Sequence, residues 1–151
     1  MKIIITSGYF DPLHSGHIKY FQLSKKLGDK LIVILNNDKQ CILKKGKAFM
    51  PQEEKKKILE ALKDVDEVLI SIDDYKLTDE KGRRHVPIIN SIKALAEKNK
   101  GNEIIFAKGG DRYSYEIPEA KICKELKIKI IDGLGKKIQS SSNLTGLRET
   151  K

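Results

Sequence analysis

Residues 8–18 read Gly8-Tyr9-Phe10-Asp11-Pro12-Leu13-His14-Ser15-Gly16-His17-Ile18, and this stretch decides how the rest of the chain is interpreted. It follows a short apolar run at residues 2–7, typical of a buried strand, and it leads into an amphipathic stretch that predicts a helix to residue 27. A turn between a strand and a helix N-terminus presents amide groups that suit an anion. Residues 8–17, called the first loop below, are therefore predicted to bind an anion.

The whole chain alternates short apolar runs with longer amphipathic stretches. Strands are predicted at residues 2–7, 30–35, 65–72, 103–107 and 128–131, and helices at 15–27, 51–63, 87–98, 117–126 and 141–148. Gly28 occupies the position of a C-terminal cap for the first helix. This order predicts an α/β fold in one domain, residues 1–151, with a Rossmann-like parallel five-stranded sheet and helices on both faces. Ligands of such sheets bind beyond the carboxyl ends of the strands, where the polar segments 8–17, 36–47, 108–113 and 133–143 lie.

Composition narrows the class of protein. The chain has 151 residues, of which 39% are apolar and 34% charged, enough for one core with a heavily charged surface. No apolar run approaches the roughly 18 residues of a membrane span. Cys41 and Cys123 lack metal-type spacing, which favours a reducing, cytoplasmic location. The net charge of +9 attracts anions, which leaves phosphorylated metabolites, nucleic acid and an ordinary solvated surface as explanations.

The two histidines of the first loop carry the predicted chemistry. His14 and His17 are three residues apart and would share a helix face. Nucleotidyl transfer needs donors aimed at oxygens that gain charge in the transition state, and losing one such donor costs roughly 3–4 kcal/mol. Gly8 would permit a tight turn, and Gly16 would let a phosphate approach the helix. A zinc site is the competing interpretation of His-x-x-His, but a third ligand is missing nearby.

The pattern Gly-x-Phe-Asp-x-x-His-x-Gly-His resembles the signature of the cytidylyltransferase-like nucleotidyltransferase superfamily. The resemblance implies that His14 and His17 contact the triphosphate and stabilise the transition state. It also implies a nucleotide-binding role for the rest of the loop: Gly8, Tyr9, Phe10, Asp11 and Gly16.

Two lysine-bearing segments extend the resemblance. Lys44 and Lys47 look like the counterparts of the family's phosphate-binding lysines, with Lys44 as the catalytic one. Lys55 stands in a helix where relatives commonly have arginine, and together with Asp38 it is expected to bind the acceptor. Without the resemblance, these lysines read as solvated surface.

Two later segments complete the predicted nucleotide site. The run Phe106-Ala107-Lys108-Gly109-Gly110-Asp111-Arg112 is similar to one in heptose-phosphate adenylyltransferases, and Gly109, Asp111 and Arg112 are predicted to bind the nucleotide. Residues 135–143 resemble the family's second signature, in which a serine cluster binds the triphosphate; the matching residues are Ser140, Ser141 and Ser142. Glycerol-phosphate cytidylyltransferases have an arginine before this cluster that is absent here, and Lys136 or Lys137 would replace it.

The resemblance implies transfer of CMP or AMP from CTP or ATP to a phosphorylated small acceptor, with Mg²⁺ bound to the triphosphate and a homodimeric protein. Two alternatives remain. One is an ATP-dependent adenylyltransferase acting on a heptose phosphate or a flavin-type acceptor. The other is a basic nucleic-acid-binding module, which the scarcity of arginine and of stacking aromatic residues disfavours.

Overall fold

A computed structural model describes residues 1–82, 84–109 and 117–134. Strands and helices alternate through most of this part of the chain. The elements are β1 (Lys2–Gly8), α1 (Ser15–Lys25), β2 (Lys30–Leu35), α2 (Asp38–Lys45), α3 (Gln52–Glu60), β3 (Glu67–Ile70), β4 (Leu77–Thr78), β5 (Arg84–His85), α4 (Ile89–Lys98), β6 (Glu103–Gly109), α5 (Glu119–Glu125) and β7 (Lys129–Leu134).

Five strands form the main sheet in the order β3-β2-β1-β6-β7. All neighbouring strands in this sheet are parallel, which confirms the predicted architecture. The chain proceeds from β1 outward to β2 and β3 and then crosses to β6, so the strand order reverses at β1. The carboxyl ends of β1 and β6 therefore flank the crevice where open α/β sheets bind ligands.

Hydrophobic side chains cover both faces of the sheet, because successive residues of a strand point to opposite sides. One core cluster joins Ile3 of β1 to Ile92 of α4 and Cys123 of α5. The other joins Ile4 of β1 to Phe21 of α1. This arrangement confirms the prediction of helices on both faces.

Residues 36–47 differ from the prediction, because the segment expected to be a polar loop contains α2. Asn37 caps this helix: its side chain accepts a hydrogen bond from the backbone N–H of Gln40, and Gln40 reciprocates on the backbone N–H of Asn37. The helix ends at Gly46, whose left-handed φ of 87° is typical of a helix C-terminus. The segment after β2 therefore holds its lysines on a helix and its cap.

The interpretation of Gly28 as a helix cap is wrong. Helix α1 already ends at Lys25, with Lys26 as its C-cap in right-handed helical conformation. Gly28 lies against β1 instead, where a Cβ atom would stand 2.8 Å from the carbonyl oxygen of Lys2. Close packing of the chain, rather than helix capping, requires glycine at this position.

Several other expectations have plain outcomes. Cys41 and Cys123 are free and buried. Every helix in the described ranges is too short or too polar to cross a bilayer. The helix predicted for the segment after residue 140 lies outside the described residues.

Candidate active site

The turn after β1 is closed by Phe10, which has a left-handed φ of 50°. Its ring folds back over Gly8, so that a Cβ atom at Gly8 would lie 2.7 Å from Phe10 Cζ. Phe10 is 3% exposed, and its ring packs edge-on against Phe21 with centroids 5.2 Å apart. Gly8 therefore makes room for Phe10. The predicted contact between Phe10 and the nucleotide is not supported, because Phe10 belongs to the core beneath the loop.

Asp11 fastens the first loop to the segment between α2 and α3. Its carboxylate accepts hydrogen bonds from the backbone N–H groups of Phe49 at 2.8 Å and Met50 at 2.9 Å. Burial acts to raise the pKa of Asp11, but these two hydrogen bonds and the charges of Lys55 and Lys45 outweigh burial and hold that pKa below its usual range. Its side chain is fully buried. A nucleotide contact through this carboxylate is therefore not supported, and Asp11 instead positions the loop.

Lys55 is the buried partner of Asp11. Its Nζ lies 3.9 Å from Asp11 Oδ1, donates to the carbonyl oxygen of Tyr9 at 3.1 Å and lies 3.6 Å from Cys41 Sγ. The side chain has 0% exposure, so neither a solvated surface role nor direct contact with an acceptor is supported for Lys55. A buried ammonium is tolerated only with partners of this kind.

The two histidines meet at the N-terminus of α1. His14 is the N-cap, and its Nδ1 accepts a hydrogen bond from the backbone N–H of Gly16 at 3.1 Å. His17 Nδ1 accepts one from the backbone N–H of His14 at 3.2 Å. The imidazole rings stack with centroids 3.8 Å apart. Because Nδ1 is the acceptor in both rings, each neutral ring carries its proton on Nε2 and is an N–H donor there.

His17 is held in the neutral form. Its pKa is lowered from 6.5 to about 4, first by burial and then by electrostatic interactions with His14 and Lys45. Part of the burial comes from Phe10, whose ring meets the imidazole edge-on with centroids 4.9 Å apart. At neutral pH His17 therefore offers a hydrogen-bond donor without a charge.

An exposed lysine for which the sequence analysis predicts no role contacts the first loop. Lys45 Nζ donates to the carbonyl oxygen of Asp11 at 3.4 Å and stands 5.2 Å from the centroid of the Tyr9 ring. Lys44 and Lys47 are exposed on the same segment, and Lys47 Nζ lies 4.6 Å from the centroid of the Phe49 ring. The side chain of Lys44 makes no hydrogen bond or ion pair within the described part of the chain. The phosphate-binding roles of Lys44 and Lys47 remain predictions.

Asp38 links the starts of α2 and α3. Its Oδ1 accepts a hydrogen bond from the backbone N–H of Gln52 at 2.9 Å, and its own backbone N–H donates to Gln52 Oε1 at 2.8 Å. This reciprocal pair gives Asp38 a structural role. Its role in acceptor binding remains a prediction.

The other side of the crevice is formed by β6. The hydroxyl of Tyr20 donates to the carbonyl oxygen of Ala107, which fixes α1 against the end of this strand. Gly109 is the last residue of β6 and pairs with Leu134 of β7, so it lies at the same edge of the sheet as the carboxyl end of β1. The remaining predicted site residues lie outside the described ranges: Asp111, Arg112, Ser140, Ser141 and Ser142, together with Lys136 and Lys137.

In the part of the chain that the structure describes, the histidines belong neither to a preformed metal site nor to the cavity near Ile104. Within the described ranges, no group of three or more His, Cys, Asp or Glu side chains is arranged to hold a metal ion. A cavity of about 250 Å³ lies near Ile104, at the amino end of β6. None of the predicted site residues lines this cavity, so its location carries no argument for the chemistry of the first loop.

Comparison with known proteins gives a family match over most of the chain. The family model described as cytidylyltransferase-like matches residues 5–142. This span contains the first loop, the lysine segment of α2 and the serine cluster.

The individual relatives match this chain over only part of their own length. FAD synthase of Ferroglobus placidus is 41% identical over 70 residues, which cover 46% of this chain and 45% of the relative. Glycerol-3-phosphate cytidylyltransferase of Bacillus subtilis is 46% identical over 69 residues, covering 46% of this chain and 54% of the relative. The bifunctional protein HldE of Campylobacter concisus is 31% identical over 150 residues, 94% of this chain but 28% of the relative. The chain thus matches about half, or less, of the length of these relatives.

Two solved structures share the fold. The lipopolysaccharide core biosynthesis protein of Thermoplasma volcanium superposes with a TM-score of 0.62 at 23% identity, covering 87% of this chain and 95% of that one. A putative nicotinate-nucleotide adenylyltransferase of Vibrio parahaemolyticus superposes with a TM-score of 0.60 at 15% identity, covering 96% of this chain and 84% of that one. At these identities the likeness supports the fold.

Proposed function

The chain belongs to the cytidylyltransferase-like family, and we propose that it transfers a nucleoside monophosphate from CTP or ATP to a phosphorylated small molecule, releasing pyrophosphate. One observation carries the proposal. His14 and His17 stack at the N-terminus of α1, directly after the carboxyl end of β1, with both Nδ1 atoms engaged by backbone amides. Two neutral Nε2–H donors are thereby held at the ligand-binding edge of the sheet.

The reaction needs little covalent help from the protein. A phosphate oxygen of the acceptor attacks the α-phosphorus in line, the new P–O bond forms, and the bond to the pyrophosphate oxygen breaks with its electrons. Negative charge grows on the phosphoryl oxygens, where imidazole N–H donors stabilise it more strongly than in the ground state. Lys44, Lys47 and the serine cluster at residues 140–142 are proposed as further phosphate contacts, and Gly109, Asp111 and Arg112 as contacts of the base or ribose.

Mg²⁺ is proposed to arrive with the triphosphate. The first loop and Lys45 together offer imidazole and ammonium donors rather than a set of carboxylates, a combination that suits phosphate oxygens better than a resident metal. Mg²⁺ would then be held by phosphate oxygens and water, and would supply charge neutralisation. Removal of divalent cations with EDTA should abolish turnover, and excess Mg²⁺ should restore it.

CMP transfer to an alcohol phosphate and AMP transfer to a flavin-type or sugar-phosphate acceptor are both supported by named relatives. The Bacillus subtilis relative is named for cytidylyl transfer and matches at 46% identity, whereas the Ferroglobus placidus relative is named FAD synthase and matches at 41%. The Lys108-Gly109 end of β6 favours the adenylyl alternative through its likeness to heptose-phosphate enzymes.

A pyrophosphate-release screen tests this proposal. Each of the four NTPs is combined with glycerol phosphate, other polyol phosphates, sugar 1-phosphates, amino-alcohol phosphates and FMN. One NTP–acceptor pair should release pyrophosphate in step with a nucleotidylated product detected by mass spectrometry. A His17→Asn protein serves as the blank for contaminating activity. Absence of product from every pair, in protein that is folded and supplied with Mg²⁺, would argue against a nucleotidyltransferase.

Two further properties follow from the same proposal. We propose a cytoplasmic protein, in keeping with two free cysteines. We also propose a homodimer, which light scattering behind a sizing column measures directly as a mass twice that of the 17.1 kDa chain.

A further inference from the structure

We propose that the hydroxyl of Tyr20 holds the carboxyl ends of β1 and β6 apart, so that the nucleoside part of the nucleotide can enter between them. Tyr20 is then a positioning residue, because it shapes the crevice without touching the reacting atoms. This inference rests on the proposed function, since it concerns the crevice in which that reaction would take place.

The pairing between β1 and β6 stops before either strand ends. Its last pair is Ile5 with Phe106. Both strands continue beyond this pair, and each keeps its other neighbour: β1 is paired with β2 as far as Gly8, and β6 with β7 as far as Gly109. The parting is therefore confined to the gap between β1 and β6, where the strand order of the sheet reverses.

The ladder pattern identifies the hydrogen bond at which the two strands part. In a parallel pair, every second residue of each strand donates and accepts across the same gap. Here the ladder begins with the backbone N–H of Glu103, which donates to the carbonyl oxygen of Met1 at 3.2 Å. Continued in the observed register, the first bond beyond the last pair would run from the N–H of Ser7 to the carbonyl oxygen of Ala107.

The hydroxyl of Tyr20 takes the place of that bond. It donates to the carbonyl oxygen of Ala107. Burial raises the pKa of Tyr20, and hydrogen bonding from the backbone N–H of Ser7 opposes this rise, so the phenol oxygen lies beside that amide as well. One direct hydrogen bond of about 2.9 Å is thus replaced by two in series, which separates the strands by the width of an oxygen atom.

The position of Tyr20 on α1 relates this gap to the histidines. Tyr20 follows His17 by three residues and lies on the same face of the helix. The first turn of α1 therefore presents imidazoles at the end of β1, and the next turn keeps β1 apart from β6. Phosphates would need the first turn, whereas the nucleoside would need the gap, so a change at Tyr20 should affect the two parts of a nucleotide differently.

Calorimetry on Tyr20→Phe is the main test, with CTP, ATP and inorganic triphosphate as ligands. Phenylalanine keeps the ring but lacks the hydroxyl, so Ser7 and Ala107 should bond directly and narrow the crevice. If the strands close in about nine molecules of ten, the affinity for the preferred nucleotide falls about tenfold, because the ligand must first part them. Inorganic triphosphate should bind as tightly as to wild type. Equal losses for both ligands, or no loss for the nucleotide, would overturn the inference.

Ser24→Ala is the matched control. Ser24 is a buried residue of the same helix, and its hydroxyl donates to the carbonyl oxygen of Tyr20 at 2.8 Å. This variant also loses a hydrogen bond from a hydroxyl to a backbone carbonyl, but it leaves the gap between the strands unchanged. Nucleotide affinity should therefore stay at the wild-type value. A loss as large as that of Tyr20→Phe would indicate a general loosening of α1 and would overturn the role of the gap.

Two structural measurements test the same inference without a ligand. In a crystal structure of Tyr20→Phe, the Ser7 nitrogen and the Ala107 carbonyl oxygen should lie about 2.9 Å apart. Strands that stay apart in this variant would show that the hydroxyl does not separate them. In NMR spectra of the wild type, the Tyr20 hydroxyl proton should exchange slowly and show a nuclear Overhauser effect to the Ser7 amide. The absence of that contact would overturn the placement, even if the variant does not fold.

The outcomes separate this inference from the proposed function. A wild-type protein that binds CTP or ATP, with equal affinity after Tyr20→Phe, overturns only the role of Tyr20. A wild-type protein that binds neither nucleotide overturns the proposed function and this inference together, even if the strands close in the crystal structure of the variant.

Discussion

The N-termini of α1 and α4 are built from opposite chemistry. At α4, two buried carboxylates fill the terminus. Asp73 accepts hydrogen bonds from the backbone N–H groups of Asn90 and Ser91, each at 2.9 Å. Glu119 accepts one from the backbone N–H of Ile88 at 2.8 Å. The positive end of this helix is therefore already neutralised by the protein itself.

At α1 the same positions are held by neutral imidazoles. The first turn contains no acidic residue, and the capping contacts are made by His14 and His17. The carboxylate closest in sequence, Asp11, is turned toward the amides of Phe49 and Met50 and toward Lys55. The comparison shows how a helix terminus can be ordered and still retain its attraction for an anion: neutral acceptors satisfy the amides, while the neighbouring carboxylate is occupied elsewhere.

The largest expected effect comes from removing the cation that pairs with the buried carboxylate of Asp11. Lys55→Met should lower the free energy of unfolding by about 3–5 kcal/mol, because Asp11 would remain buried without its cation. Urea denaturation measures the loss. Lys56→Met is the control: this lysine pairs with Glu60 on the surface of the same helix and should cost under about 1 kcal/mol.

The pairing itself is tested by the double variant Asp11→Asn/Lys55→Met. Because both charges are removed, its loss of stability should be smaller than the sum of the two single losses. Additive losses would contradict the interaction between these side chains.

The next effect concerns catalysis at α1. Asparagine at position 17 keeps a side-chain oxygen near the place of Nδ1, which can accept from the His14 amide, but it lacks the Nε2–H donor. His17→Asn should lower kcat by 100-fold or more, about 3 kcal/mol, with little change in the melting temperature. His17→Gln, which reaches the place of Nε2 with an N–H donor, should recover part of the rate. Equal rates in both variants would argue against an Nε2 donor.

At α4 the expected loss is one of stability. Asp73→Ala leaves the amides of Asn90 and Ser91 without their acceptor in a position that is 1% exposed. The unfolding free energy should fall by about 2–3 kcal/mol. The rate per folded molecule should change less than twofold, because no reacting group has been touched. A rate loss comparable with that of His17→Asn would contradict a purely structural role for the α4 terminus.

The sequence predicts the five strands of the main sheet but not helix α2, and both outcomes have physical reasons. Runs of apolar residues, such as the one ending at Leu35, predict buried strands without knowledge of tertiary contacts. Helix α2 was missed because Asn36 and Asn37 look like loop residues. Its signals were nevertheless present, in the Asn37–Gln40 capping box and in Gly46.

The site was predicted as a segment more accurately than as individual contacts. The histidine pair could be placed from its spacing and its position after a strand. The burial of Lys55 could not be predicted, because its partner Asp11 lies 44 positions earlier in the chain and a helix lysine is normally solvated. The contact of Lys45 with the first loop could not be predicted either, because it depends on the rotation of α2 about its axis, and neighbouring helix positions differ by about 100°.

A smaller effect is the pH dependence of the α1 terminus. His17 has a pKa of about 4 in the folded protein and 6.5 when free. Between these values the unfolded chain binds a proton that the folded chain does not, so this contribution to stability is complete above pH 6.5 and is lost as the pH falls to about 4. The free energy of unfolding, measured by urea denaturation, should rise with pH across this window. The slope against pH should be smaller in His17→Asn. An NMR midpoint for His17 near 6.5 would contradict the neutral ring.

The smallest expected effect distinguishes charge from hydrogen bonding at α4. Glu119→Gln removes the negative charge but keeps a side-chain oxygen that can accept from the amide of Ile88. The loss of unfolding free energy should be about 0.5–1 kcal/mol, the usual size of a charge–dipole contribution. Glu119→Ala removes the acceptor as well and should cost more, because the amide is then left buried and unpaired. If the two variants lose the same stability, charge rather than hydrogen bonding holds this terminus. The neutral caps of α1 would then be set apart from α4 by their lack of charge.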